Sequence, residues 1–511
     1  MRTTEKELQP YNDRRSLWFA CIILLGVLVR LPFLFSPLTF GSDTWRQADT
    51  ASIAHHFFVN GFNILYPQIY WGGSGPGFVE TEFQLYPFII SLGYVVFGEH
   101  LLLGRFVSLL FAIPTMILFY FLARGIVSSG GTLWSLAFFV VSPLFMRYSV
   151  AYMPEAAMLC FYVAALYFFW EWLRDQKHST LSLAAVMTSL AILVKPTSLH
   201  IGLIFVSLAV GRFGLGVFKR KDVWLAGLLS LLPGVLWYYH ARNLYLQYGN
   251  TFGLFSGGDS KFGALADIFS VHFYFALIKL ETIWVFAGVG VIVFTIGLIA
   301  SLARPRQPIL VHAVIAMVIY YMIVARYSRE SWGVQYHLFA VPFAALGVGL
   351  GLEWVFRRVK RTARTVVAAS FVVCTVLGSG YLYGRMLSVA DNQLGDHLIQ
   401  CAAQVRNLVP SDQRVIVSTT SLSEINGVPN NYQEPTIFFY ANRYGWSLPA
   451  NWHSVEMVER YRRAGGRYFV IYSAELYHAN AELAHYLTNN AHQIGPGMEA
   501  GCGVFRLKDQ L

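Results

Sequence analysis

The sequence predicts an α-helical polytopic membrane protein of about 11 transmembrane helices, with a small α/β domain at its C-terminal end outside the membrane. Three observations predict it. The 511-residue chain is 56% apolar and only 13% charged, and its mean hydropathy of +0.49 lies far above the soluble average. Apolar runs of roughly 20 residues, each enough to cross a bilayer, recur from Leu17 to about Tyr383. Beyond them the chain turns to ordinary polar content with short periodic segments.

The net charge of +10 is spread through short loops rather than gathered into a nucleic-acid-binding patch, so the partner it implies is a lipid bilayer. Basic groups fall at Arg14 and Arg15, Arg124, Arg174 with Lys177, Arg212 with Lys219 to Lys221, Arg304 with Arg306, and in "RRVKRTAR" from Arg357 to Arg364. A cytoplasmic N-terminus (1–16) and spans near 17–36, 101–123, 131–149, 155–173, 180–195, 197–212, 223–240, 283–302, 309–325, 334–356 and 365–385 put every cluster on the cytoplasmic side, as positive-inside bias requires. An odd number of spans leaves a membrane domain over 17–388 and an external domain over 389–511. The first span, "LWFACIILLGVLVRLPFLF", is too long for a signal-peptide core and lacks a small-residue cleavage site, so it is read as retained.

Five cysteines are scattered without metal-type spacing. Cys401 and Cys502 lie in the external part, where a disulfide is permitted; two buried free thiols are the alternative.

The first external loop, 37–83, is the longest in the membrane domain, and such loops are usually functional. Its first half reads as a helix started by Ser42, Asp43 or Thr44, with Thr44 and Gln47 fitting a capping box. Trp45, Ala48, Ile53, Ala54, Phe57 and Phe58 give it an apolar side, which predicts a helix lying along the membrane surface. Asp43 then has two readings: a helix cap beside an Arg46/Asp49 charge ladder, or a working carboxylate. Further on, "GGSGPGFVETEFQLYP" brings Glu80 and Glu82 from a flexible glycine-rich lead into a second interfacial helix near 83–98. Glu155 in "YMPEAAML" follows Pro154 at a helix start, where the helix dipole also favours an acid.

Cations occur on the same outer side, against positive-inside bias: Arg30, Arg46, Arg105, Arg147, Lys195, Arg242, Arg326 and Arg329. Lys195, in "AILVKPTSL", is either a snorkelling residue at a tight turn or a functional cation. Tyr336 and His337 in "YSRESWGVQYHLFAVP" lie at the same level, although a lone histidine at a helix end is more often a satisfied structural group. Acids beside cations at the outer boundary suit a substrate with a membrane-anchored phosphate and a reacting hydroxyl in water. No HExxH, paired CxxC, P-loop or GxSxG pattern is present.

The order of these features resembles the polyprenyl-phosphate-sugar-dependent glycosyltransferases of the GT-C type, the bacterial relatives of protein O-mannosyltransferases and of lipid A aminoarabinose transferases. The resemblance rests on the first span's "RLP", "SDTWRQADTASIA", "ETEFQLYPFIISLGYVVFGEHLLLGRFVSLLFAI", "YMPEAAML" and "LAILVKPT", and covers most of residues 15–250. It implies an inverting transfer of a sugar from an undecaprenyl-phosphate carrier to a glycan, lipid or protein hydroxyl at the external face of the bacterial inner membrane. It also implies roles: Asp43 as base or acceptor-orienting carboxylate, Glu155 and Glu82 as further catalytic acids, and Arg46, Lys195, Arg105 and Arg147 at the lipid phosphate. Asp49, Glu80, Tyr336, His337 and Arg329 are candidate substrate-binding groups.

The chain departs from the family in four places. Thr44 stands where a second acid often follows the first, Phe83 where the aminoarabinose transferases carry a lysine, and Glu155 where an aspartate is usual. A later metal-binding histidine has no clear counterpart; "GLFSGGDSKFG" around Asp259 occupies its region, and a divalent cation is left open. The resemblance also implies that "YANRYGWSL" docks over the mouth of the site. Two other functions remain in view: a GT-C-like glycan polymerase or ligase using a diphosphate-linked donor, and a transporter or lipid flippase. No half-to-half repeat supports the last.

Overall fold

The computed structural model describes residues 13–38, 43–254, 261–263, 265–303, 309–388, 393–498 and 501–508. Ser42 and Asp259 lie outside them. Among the described residues, seven helices are long and apolar enough to cross a membrane: Arg14–Phe35, Leu101–Ile126, Glu155–Asp175, Pro196–Lys219, Lys221–Tyr248, Ser331–Arg358 and Arg361–Leu387. The shorter apolar helices Ser129–Val141, His178–Val194 and Ile309–Ile323 fall on three further expected spans.

Two expected spans are not continuous. Near 131–149 the helix stops at Val141 and a short one restarts over Pro143–Tyr148, because a proline has no amide hydrogen and its ring collides with the preceding turn. Near 283–302 the chain forms two arms, Val271–Val285 and Gly290–Leu302, bent by 103°. Ala287 at φ 49° and Gly288 at φ 78° turn the corner in the left-handed region. The second arm then packs closely on the helix Val341–Arg358, where "VPFAALGVGLGL" offers small residues. A Cβ on Gly297 would lie 1.9 Å from the Gly347 carbonyl oxygen, so that approach requires glycine.

In the loop that follows the first span, the helix Thr44–Val59 is buried continuously from Gln47 to Ala54. The expected surface helix with one apolar side is thus covered on both sides: by the helix Leu85–Phe97 and by the helix Pro435–Ala441 of the C-terminal part. That second cover is what allows polar residues to occupy an interior helix.

The C-terminal part is a layered α/β unit. Its strands are β1 (Arg414–Ser418), β2 (Glu424–Ile425), β3 (Val428–Pro429), β4 (Gly445–Leu448), β5 (Gly466–Ile471), β6 (Ala491–Ile494) and β7 (Gly503–Leu507). The main sheet has the order β4-β1-β5-β7-β6, and β2 and β3 form a separate ribbon. The apolar runs expected to pair in parallel do so, with Val415 opposite Tyr468, Ile416 opposite Phe469 and Val417 opposite Val470. Alternation assigns the two faces. Val415 and Val417 pack with the helices Gln393–Leu408 and Pro435–Ala441 and with Ile69, Tyr70 and Trp71 of the first loop, while Ile416 packs with Val458, Leu483 and Leu487 on the other side. A disulfide joins Cys401 to Cys502.

The "YANRYGWSL" segment meets the first loop directly. Gly73 N donates to Gly445 O at 2.8 Å and Gly445 N to Tyr70 O at 3.1 Å, so the loop adds to the edge of β4. Tyr440, Asn442 and Tyr444 make further bonds, to Leu38 N, Tyr70 Oη and His56 Nε2 respectively.

Candidate active site

Each acid singled out in the sequence around the first loop is held by a partner from another element. Asp43 stands at the N-cap position of the helix Thr44–Val59 but makes no side-chain capping bond. Its Oδ2 instead accepts from Arg147 Nη2 at 2.6 Å and Tyr148 Oη at 3.0 Å, both from the short helix that Pro143 restarts. Oδ1 takes neither bond. Arg147 also faces the Trp284 ring at 5.3 Å, at the bend between the two arms. Gln47, expected in a capping box, accepts from Tyr152 N at 3.1 Å instead.

Glu155 opens the helix Glu155–Asp175, and Lys195 is the C-cap of the next helix, His178–Val194. Lys195 Nζ lies 2.5 Å from Glu155 Oε1 and 4.7 Å from the centroid of the Tyr336 ring. Glu155 Oε2 is buried with no hydrogen-bond partner among the described residues. A buried carboxylate oxygen in that state costs stability and is an acceptor in waiting.

The third pair is Arg46 with Glu82, Nη2 to Oε2 at 2.6 Å; Arg46 also lies 4.7 Å from the Phe252 ring. Burial raises the Glu82 carboxyl, but Arg46 and, more weakly, Lys261 and Lys195 outweigh it, leaving it at about 2. Burial would lower the Arg46 guanidinium, yet Glu82, Glu155 and Asp49 together raise it. Those shared fields tie Arg46, Asp49, Glu82, Glu155 and Lys195 into one electrostatic cluster. Asp49 Oδ1 accepts from Trp71 Nε1 at 2.9 Å, and burial pushes its carboxyl up to about 7 against the Trp71 bond and the Arg46 charge. Glu434, from the C-terminal part, adds to that rise and is itself raised by burial.

Several further candidates are held by partners of their own. Arg105, expected at a phosphate, is fully buried and donates to the carbonyls of Ser36 at 2.9 Å, Val150 at 3.0 Å and Pro37. It satisfies backbone left open where the first span ends. Arg30, another cation that runs against the positive-inside bias, is likewise buried on Ser149 Oγ, Gly26 O and Val140 O. His337 lies between Glu281 Oε1 at 2.7 Å and Ser328 O at 2.9 Å, the structural use that a lone histidine suggests. Arg329 pairs with Asp267. Glu80 accepts from Thr251 Oγ1, and the backbones of 80 and 250–252 pair beside it, so it anchors the loop. Among the described residues no three His, Cys, Asp or Glu side chains form a group that could hold a metal ion.

Sequence reasoning missed Tyr148, Trp71, Glu281 and Glu434. Glu281 carried a usable signal, an acid inside "FALIKLETIWVF", since buried acids in apolar runs demand partners. Tyr148 carried none beyond its place after Arg147.

These features define an integral-membrane protein with the GT-C fold. Residues 84–239 match the family described as Dolichyl-phosphate-mannose-protein mannosyltransferase. The whole chain is similar in structure to ArnT from Cupriavidus metallidurans bound to undecaprenyl phosphate, with a TM-score of 0.64 and 12% identity over 98% of this chain and 100% of that one. It is also similar to the archaeal oligosaccharyltransferase AglB from Archaeoglobus fulgidus, in complex with an inhibitory peptide and a dolichol-phosphate. There the TM-score is 0.60 and the identity 11%, over 97% of this chain and 74% of that one. In sequence, 108 residues are 35% identical to an uncharacterized protein of Aquifex aeolicus (strain VF5), a match spanning 21% of this chain and 22% of that protein.

Proposed function

We propose that the protein is a glycosyltransferase that moves a sugar from a polyprenyl-phosphate carrier to an acceptor hydroxyl, with inversion at the anomeric carbon. The observation that carries this reading is the set of three buried acid–cation pairs, Asp43–Arg147, Glu155–Lys195 and Arg46–Glu82, gathered at the first loop of a GT-C fold. In this reading Asp43, fixed by Arg147 and Tyr148, takes the proton from the acceptor hydroxyl through its second oxygen. The acceptor oxygen bonds to the anomeric carbon as the bond from that carbon to the phosphate oxygen breaks. The electron pair leaves on the phosphate, which Lys195 and Arg46 neutralise. Glu155 and Glu82 hold those cations until the phosphate competes for them.

The membrane domain would be 17–388 and the external domain 389–511, with the site facing outward from a bacterial inner membrane and undecaprenyl as the carrier lipid. Burial of Thr44–Val59 beneath Pro435–Ala441 supports a site completed by the C-terminal domain. The test is transfer of radiolabelled sugar by purified protein from polyprenyl-phosphate monosaccharides and, in parallel, from diphosphate-linked oligosaccharides. Label leaving only the monophosphate carriers is expected. Transfer only from diphosphate donors, or carrier movement across vesicles without a glycosidic product, would overturn the reading.

A further inference from the structure

A cavity of about 560 Å³ lies outside the acid–cation cluster, between the glycine-rich loop 71–75, the end of the helix Lys221–Tyr248 and the C-terminal domain. Its walls are aromatic: Trp71, Tyr245, Tyr248, Tyr432, Trp446 and Trp452. The Trp446 indole stacks on Tyr461 at 5.7 Å with 18° between planes, and its other neighbour is Gly73. A Cβ at Gly73 would come within 2.6 Å of Trp446 Nε1, so the glycine leaves the indole its place on the wall. Tyr432 and Trp452 lie 5.7 Å apart across the C-terminal side.

Between the rings stand neutral hydrogen-bonding groups with capacity to spare. Asn431 and Gln433 line the cavity, and their side chains have no partner among the described residues. Ser447 Oγ is buried with no partner there either. Among the described residues, the only charged side chain on the lining is Glu424, in a chain whose net charge is +10. Flat aromatic faces beside amides and a hydroxyl fit the apolar faces and equatorial hydroxyls of sugar rings. They do not fit a phosphate or an acidic chain, which would meet no cation.

The cavity also touches the cluster. Trp71 lines it while donating to Asp49 Oδ1, a member of that cluster; beside it, Thr251 lines the cavity and donates to the loop anchor Glu80. We infer that this cavity is the acceptor subsite and that the acceptor is an uncharged oligosaccharide, held by the C-terminal domain with its reacting end directed past Trp71. The inference deepens the transferase reading and rests on it.

The test uses the full-length protein in lipid nanodiscs without donor. Saturation-transfer NMR is recorded with neutral gluco-, manno- and galacto-oligosaccharides, a galacturonic acid oligomer and an unstructured hydroxyl-rich peptide. Trp452→Ala and Asn431→Ala are compared with wild type; Trp452 is 39% exposed, so its loss spares the core. A neutral oligosaccharide should bind, with roughly tenfold weaker binding in each variant, and should accept sugar in the transfer assay. Preference for the acidic oligomer or the peptide, or equal binding by wild type and both variants, overturns the inference. So does transfer to an acceptor that competes with no oligosaccharide. Oligosaccharide binding lost in the variants, with no sugar transferred from any donor, keeps the subsite and removes the transferase reading instead.

Discussion

The most quantitative consequence of the structure concerns Asp49, whose carboxyl is 1% exposed and raised from 3.8 to about 7. A rise of that size corresponds to about 4 kcal/mol between its protonation states in the fold. Because the folded pKa is raised, the folded state binds the proton more tightly than the unfolded chain does. This contribution to stability is therefore largest below the ordinary carboxyl range, falls as pH rises from about 4 to about 7, and is constant above. Asp49→Asn keeps a carbonyl to accept from Trp71 and removes the ionisation. The assay is infrared difference spectroscopy of wild type against Asp49→Asn, following the protonated carboxyl band from pH 4 to 9. A midpoint near 7 is expected, moving down in Glu434→Gln and up in Trp71→Phe, the directions set by the field of Glu434 and the bond from Trp71. A band titrating near pH 4, or a Glu434→Gln shift of the opposite sign, would refute the reasoning.

Removing one partner of the Lys195–Glu155 pair should be severe. Lys195→Met leaves a carboxylate buried with neither oxygen matched, at about 3–5 kcal/mol, and thermal unfolding should show that loss partly recovered in the Lys195→Met/Glu155→Leu double variant, without recovery of sugar transfer. Arg105→Ala strands three carbonyls and should cost about 3 kcal/mol or more, while the folded fraction keeps the wild-type KM for donor; a raised KM would restore Arg105 to the phosphate. The Cys401–Cys502 bond spans 101 residues, so a reductant should cost the C-terminal domain about 4–5 kcal/mol in the chain-entropy account, read as a lower unfolding temperature.

How much of this was legible follows a physical division. Hydropathy is local, so each of the expected spans has an apolar helical segment; the two misjudged as continuous were broken by Pro143 and by the left-handed pair Ala287–Gly288. Charged residues near apolar sequence could also be found, since a buried charge must be matched. Which charge matches which is not local: Arg147 is 104 residues from Asp43 and Lys195 is 40 from Glu155. Arg105 is the same case, because an arginine facing phosphate and one facing three carbonyls look alike in sequence. The Ser36–Pro37 break after the first span was the clue, since it leaves carbonyls without helical partners. Likewise the polar face of Thr44–Val59 resembled a solvent face until Pro435–Ala441 was seen to cover it.

The central claim is that Asp43 works on the acceptor, and single-turnover sugar transfer by Asp43→Asn tests it most directly. Asparagine retains an oxygen for Arg147 and Tyr148 but not a base. A transfer rate lower by roughly a hundredfold or more is expected, with donor binding retained. Transfer at the wild-type rate would contradict it and leave Asp43 only as a structural partner of Arg147 and Tyr148.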